Sequence, residues 1–284
     1  MSGKLRLGFA GLALVPAFCA VVVFVAPEIT ERPAAQRTSA FVPPGWYQHS
    51  RSGWYTLGTD YLGRPFAPVL CAATGATARV ALLGTAAAVL GCLVVGVVQG
   101  SVRSPGLGAV LAAGNLGVLA VPEAAVLITL ATAWPRVAPA VQVNASMVAI
   151  LVAFAIPTGA RLIAERVRSL GRSGFVAASR AYGASPVYTF RHEIWPHLTE
   201  DVAWIAASVL PRFVAVEVGL AYLGVEYRDF EGLGKLLAKS FSNLGVETAV
   251  IQMLATIGAV LWIALLPQMV LRALGVRIVR GGAA

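Results

Sequence analysis

The sequence predicts an all-α membrane protein with six transmembrane helices. Three observations carry this. Hydrophobic residues make up 58% of the 284 positions and charged residues 12%, about half the roughly 25% of a soluble domain. A soluble chain of this length would leave most of that apolar surface in water. Six apolar segments approach the about 20 residues that a helix needs to cross the hydrocarbon core. Lys and Arg then collect on alternate connections, as cytoplasmic segments require.

The first segment, 7–26, follows Lys4 and Arg6. It exceeds the roughly 7–15 apolar residues of a signal-peptide core. Pro27-Glu28-Ile29 is no small-x-small cleavage site. It is therefore read as a retained N-terminal transmembrane helix, 1–26. The other spans are 77–99, 107–133, 144–163, 202–224 and 246–271. Between the fourth and fifth lies the Arg-densest connection, with Arg161, Arg166, Arg168, Arg172, Arg180 and Arg191. That places it in the cytoplasm together with both termini, including the tail 273–284.

The net charge of +9 arises from 22 Lys and Arg against 13 Asp and Glu. Cytoplasmic Arg with few carboxylates explains this excess, and nucleic acid is not an expected partner. Cys19, Cys71 and Cys92 sit at no metal-ligand spacing and read as small hydrophobes.

Two outside connections are long. The loop 27–76 contains Pro43-Pro44-Gly45-Trp46-Tyr47 and Trp54-Tyr55. It is either a solvated loop with aromatic anchors at the lipid interface or a surface that meets an external partner. The connection 225–245 mixes charges and glycines and is expected to form short helices near the surface.

The cytoplasmic stretch, about 164–200, carries the most local information. Phe175 to Tyr182 is a helical run of small residues that Gly183 should stop in the left-handed cap conformation. Ser185 is a good N-cap and Pro186 a good first helical residue. The prediction is a helix, a sharp corner at Gly183-Ala184, and a short second helix ending at Pro196. Tyr188, Arg191 and His192 fall on one side of it, with Val187, Phe190 and Ile194 on the other. Such an element either inserts into a partner's groove or lies on anionic lipid.

Ala178, Arg180-Ala181, Gly183-Ala184-Ser185 and Pro196 resemble the EAA loop of binding-protein-dependent ABC importer permeases of the dipeptide/oligopeptide/nickel subfamily. Upstream, Leu57-Gly58-Thr59-Asp60-Tyr61-Leu62-Gly63-Arg64 is similar to the L-G-T-D-x-x-G-R segment of one of the paired permeases. Downstream, Glu217-Val218-Gly219-Leu220-Ala221-Tyr222-Leu223-Gly224 resembles E-x-x-L-S-F-L-G. Asn115 and Pro122 fall where the third helix commonly carries Asp and Pro. Ala177 stands where the family has Glu, and Val225-Glu226-Tyr227 replaces the usual Gln-Pro-Pro.

The resemblance implies a MetI-like type I permease bundle over 77–272 in a bacterial cytoplasmic membrane. Its partners would be a second homologous permease, two cytoplasmic ABC ATPases and an extracytoplasmic substrate-binding protein, all within membrane lipid. ATP and Mg would bind the ATPases, and this chain would hold no cofactor. Ala178, Arg180, Ala181, Gly183, Ala184, Ser185, Tyr188, Arg191 and Pro196 would form the ATPase-coupling element. The cargo would be peptide or a related solute such as a metal chelate, haem or peptide antibiotic. A polytopic scaffold without a transport path is the alternative from another class.

The chain carries no phosphate loop of its own, since Gly232-Leu233-Gly234-Lys235-Leu236 lacks the first Gly and the hydroxyl residue. No metal or catalytic constellation is evident, so enzymatic activity is not expected. Ionisable residues within spans are functional candidates by default. Here these are Glu123, Arg212 and Glu217, which either pair within the assembly or line the translocation path. Gly96-x-x-x-Gly100, with Gly106, Gly108, Gly114 and Gly117, is expected to support close helix packing.

Overall fold

The computed structural model describes residues 40–47, 53–55, 57–102, 104–133, 140–222 and 231–273. The expected first span, 7–26, and most of the tail 273–284 lie outside these residues. A small antiparallel hairpin pairs β1 (Gly45–Tyr47) with β2 (Gly53–Tyr55), Trp46 opposite Trp54. The helices that follow are α1 (Phe66–Ser101), α2 (Pro105–Ala120), α3 (Glu123–Ala133), α4 (Ala140–Gly171) and α5 (Gly174–Ala181). Then come α6 (Pro186–Tyr222), α7 (Leu233–Phe241) and α8 (Glu247–Ala273). Among the described residues, four helices are long and apolar enough to cross a bilayer: Phe66–Ser101, Val148–Gly171, Pro186–Tyr222 and Glu247–Arg272. The chain is a helical, multi-pass membrane protein.

The helix boundaries depart from the sequence reading in four places, one of them the expected fourth span, 144–163, which is part of a longer helix that runs on to Gly171. α1 starts at Phe66 rather than 77, within the expected loop 27–76. Phe66, Val69, Ala73 and Thr77 form a buried stripe at helical spacing. Pro68 falls in the first turn, where no donor is required. The expected third span, 107–133, is two helices instead of one. Val121 is extended, with φ −85° and ψ 128°, as the residue before a proline is disposed to be. Pro122 cannot donate to the ladder, so the helix stops and restarts at Glu123. The second cytoplasmic helix also does not end at Pro196 but runs on to Tyr222.

The chain divides into two compact units, and α1 and α6 contribute to both. The first comprises the described residues of Met1–Leu82, Pro139–Val141 and Pro211–Ala273. Within it, the segment from Leu57 to Arg64 is a tight turn built on Asp60, which is 1% exposed. The Asp60 carboxylate accepts from the Leu62 and Arg64 amides at 2.9 and 2.8 Å and from Arg64 Nε at 2.8 Å. Gly58 and Gly63 both have φ +74°, which side-chain-bearing residues rarely adopt. A methyl at Gly58 would also collide with the Val42 carbonyl. Gln252 of α8 donates to the Thr59 carbonyl at 2.7 Å, and Thr59 Oγ1 accepts from the Val42 amide at 2.8 Å. Arg64 reaches on to Glu231 at 2.9 Å. Burial opposes the guanidinium charge. The hydrogen bond and charge of Asp60, followed by those of Glu231, outweigh it and hold the Arg64 pKa above its ordinary value.

The second unit comprises the described residues of Leu83–Ala138 and Gln142–Leu210. Its seam is the contact of α1 with α4. A methyl at Gly91 would lie 2.5 Å from Ile156, one at Gly96 2.6 Å from Ile163, and one at Gly100 2.7 Å from Val167. Gly159 on α4 answers by admitting the Cys92 side chain. The backbones therefore approach along the expected Gly96-x-x-x-Gly100 row. Gly106, Gly108, Gly114 and Gly117 are different: a methyl at any of them would meet nothing within 4 Å. They lie on α2, most of which is exposed. Asn115 ties α2 to Gln99 Oε1 at 3.0 Å, and Arg168 bonds the Gln99 carbonyl at 3.1 Å. Arg166 of α4 pairs with Asp201 of α6 at 3.2 Å.

Candidate functional site

The elbow between α5 and α6 belongs to the second unit and is built by local rules. α5 ends in a Schellman motif. The Gly183 amide bonds the Arg180 carbonyl at 3.0 Å, and the Ala184 amide bonds that of Ser179 at 3.1 Å. Gly183 has φ +84° and open space around its missing side chain. Its requirement is thus conformational rather than steric. Ser185 then caps α6, its hydroxyl accepting from the Tyr188 amide at 3.2 Å, with Pro186 in the first turn.

Most of the expected coupling residues reach the surface. Ala178, Arg180, Ala181, Gly183, Ser185, Tyr188, Arg191 and Pro196 are exposed, and Ala184 is half-buried. Around them the structure adds apolar side chains: Tyr182 is 93% exposed and Val187 76%. The Tyr188 and His192 rings stack at 4.3 Å. His192 Nδ1 lies 3.2 Å from the Tyr188 carbonyl. Arg172 is also exposed, while Glu193 is half-buried. The face is accordingly basic and aromatic. Beneath it, Val176, Thr189, Ile194 and Leu198 are buried, and Phe175 meets His197 at 5.6 Å.

One feature of this elbow was not expected. Phe190–Ile194 forms a single wide turn, in which the Trp195 amide bonds the Phe190 carbonyl five residues back. In a regular helix the ring of Pro196 would clash with the His192 carbonyl. The wide turn relieves that clash and lets the helix continue. It also changes the buried face. The expected set was Val187, Phe190 and Ile194, but the extra residue brings Thr189 into the core below Ile194. Val187 is left outside and Phe190 half-buried. Pro196 is the sequence signal that could have indicated this.

The intramembrane candidates have distinct places. Glu123 is the first residue of α3, half-buried, at the positive end of a helix. Arg212 is half-buried on α6. Glu217, 6% exposed, closes the start of α7. Thr77 Oγ1 donates to Glu217 at 3.2 Å and accepts from the Leu233 amide at 3.0 Å. A methyl at Gly234 would fall 2.6 Å from Ala221 Cβ, so glycine allows α7 to come this close to α6. Glu217 thus caps a helix distant in sequence, a role that sequence spacing could not reveal.

Among the described residues, no group of three or more His, Cys, Asp or Glu could hold a metal ion. No known protein-family model matches the chain, and no curated protein matches it.

Proposed function

We propose that this chain is a permease subunit of an ATP-driven ABC importer, with six spans in a MetI-like arrangement and both termini in the cytoplasm. It forms half of a translocation path for peptide or a related small solute. A second permease completes the path, and an external binding protein delivers cargo. Two cytoplasmic ATPases drive the cycle.

The observation that supports this reading most is the elbow. A Schellman corner at Gly183 and a capped helix start at Ser185 hold Arg180, Tyr182, Val187, Tyr188 and Arg191 at the surface of a helical membrane protein. Aromatic and Arg side chains on a rigid frame are the usual anchors of a protein interface. In the proposed mechanism the elbow sits in a groove on an ATPase. Closure of the ATPases on ATP moves each elbow as a rigid body and changes which side the path faces. This chain supplies the lever and no hydrolytic group.

The test uses Gly183, whose surroundings separate conformation from size. Val at a left-handed position is strained by roughly 1–2 kcal/mol or more, whereas Asn tolerates it. Both side chains have room. Affinity-purified chain from its native membranes should co-elute nucleotide-hydrolysing activity. Gly183→Val should lose that activity and Gly183→Asn keep it, with both chains inserted normally. Equal recovery from all three would contradict the assignment.

A further inference from the structure

We infer that the elbow end of α6 is a two-register switch, in which the wide turn at Phe190–Ile194 interconverts with a regular helical turn. The purpose of the switch rests on the docking role proposed for the elbow, but its existence does not.

The two registers have opposite defects. In the observed one, Thr189 is 1% exposed and its hydroxyl has no hydrogen-bond partner. Val187 meanwhile stands 76% exposed. A buried unpaired hydroxyl is unfavourable. In the regular register, Ile194 would share its face with Phe190 and Val187, four and seven residues back. Phe190 would then replace the Thr189 hydroxyl in the core, which is the face the sequence pattern favours. The cost moves to Pro196, whose ring would press on the His192 carbonyl. Neither register satisfies both ends of the segment, and such a balance is what a bistable element requires.

The consequence for the surface is large. Absorbing the extra residue into a regular helix rotates Pro186–Thr189 by about 100° and pushes it out by about 1.5 Å. Phe190 takes the buried place of Thr189, and Thr189 turns outward. The observed register presents Val187, Tyr188, Arg191 and His192 with Phe190 half-buried beside them; the regular register keeps Tyr188, Arg191 and His192 on one side but exchanges Phe190 for Thr189 at the edge of that set. A partner that grips this set selects the wide turn.

Pro196 provides the test, because removing its ring removes the obstacle to the regular register. The full chain, with Cys19, Cys71 and Cys92 changed to Ala, carries Thr189→Cys or Phe190→Cys and is labelled with a maleimide in nanodiscs without any ATPase. Adding Pro196→Ala should raise the labelling rate at 189 at least about tenfold as the exposed population grows, and lower it at 190. Unchanged rates at both positions would overturn the switch. So would a rise at both, which signals fraying instead of rotation. In the unmodified chain, amide hydrogen exchange over Phe190–Trp195 should be at least about tenfold faster than over Leu198–Val209, since interconversion opens only that turn. Equal protection would overturn the proposal without relying on any variant's folding. ATPase capture is absent from both measurements, so failure here leaves the docking role standing, and failure of docking leaves this result intact.

Discussion

Asp60 and Glu231 hold the same guanidinium, yet they should matter very differently. The Asp60 side chain is 2% exposed and that of Glu231 38%. Removing one partner of a buried ion pair strands the other charge and costs about 3–5 kcal/mol. An exposed pair is worth about 0–1 kcal/mol. Asp60→Asn should therefore lower the melting temperature of the detergent-solubilised chain sharply, and Glu231→Gln only slightly. Equal shifts would show that the turn is not anchored on Asp60. The motif from Leu57 to Arg64, similar in sequence to a permease signature, has a structural explanation here. Its two glycines, its Asp and its Arg each satisfy a need of the turn. Glu217 follows the same logic at the start of α7. Glu217→Gln keeps the shape and an acceptor, whereas Glu217→Leu leaves the Thr77 hydroxyl without its carboxylate. A loss of about 1–3 kcal/mol is expected for Leu, with much less for Gln, read by thermal unfolding.

At the scale of elements, legibility follows the range of the interactions involved. The corner at Gly183 and the cap at Ser185 were readable because each obeys a rule spanning three or four residues. The wide turn was not, since the amphipathic pattern of Val187, Phe190 and Ile194 points to a regular helix and only the clash at Pro196 opposes it. The break before Glu123 was obscured by apolar residues that continue unchanged across Pro122. The caps on α7 depend on Thr77 and Glu217, 140 positions apart. Small-residue spacing identified the seam at Gly96 and Gly100 but could not distinguish it from the glycines of α2. The two sets should respond oppositely to substitution. Gly96→Ala would place a methyl 2.6 Å from Ile163 and 2.7 Å from the Ala160 carbonyl, and overpacking of this kind costs about 1–3 kcal/mol. Gly114→Ala meets open space and gains up to about 1 kcal/mol of helix propensity. Similar thermal shifts for both would mean that the α1–α4 seam is not closely packed.

For the whole molecule, composition settled the solvent before any element was placed. A chain that is 58% hydrophobic and 12% charged belongs in lipid, and four helices of spanning length agree. The importer reading adds a lever to that bundle. Its surface is basic and aromatic at the elbow, where a water-soluble partner could grip it. The most direct measurement replaces Tyr182, the most exposed of the elbow's aromatic side chains, with Cys in a background free of other cysteines. Maleimide labelling is then followed with and without the co-purified ATPase. Docking should slow the reaction at least about tenfold, in proportion to the bound fraction, and dissociating the ATPase should restore it. Labelling at the same rate with ATPase present, in both ATP-bound and nucleotide-free states, would contradict the account.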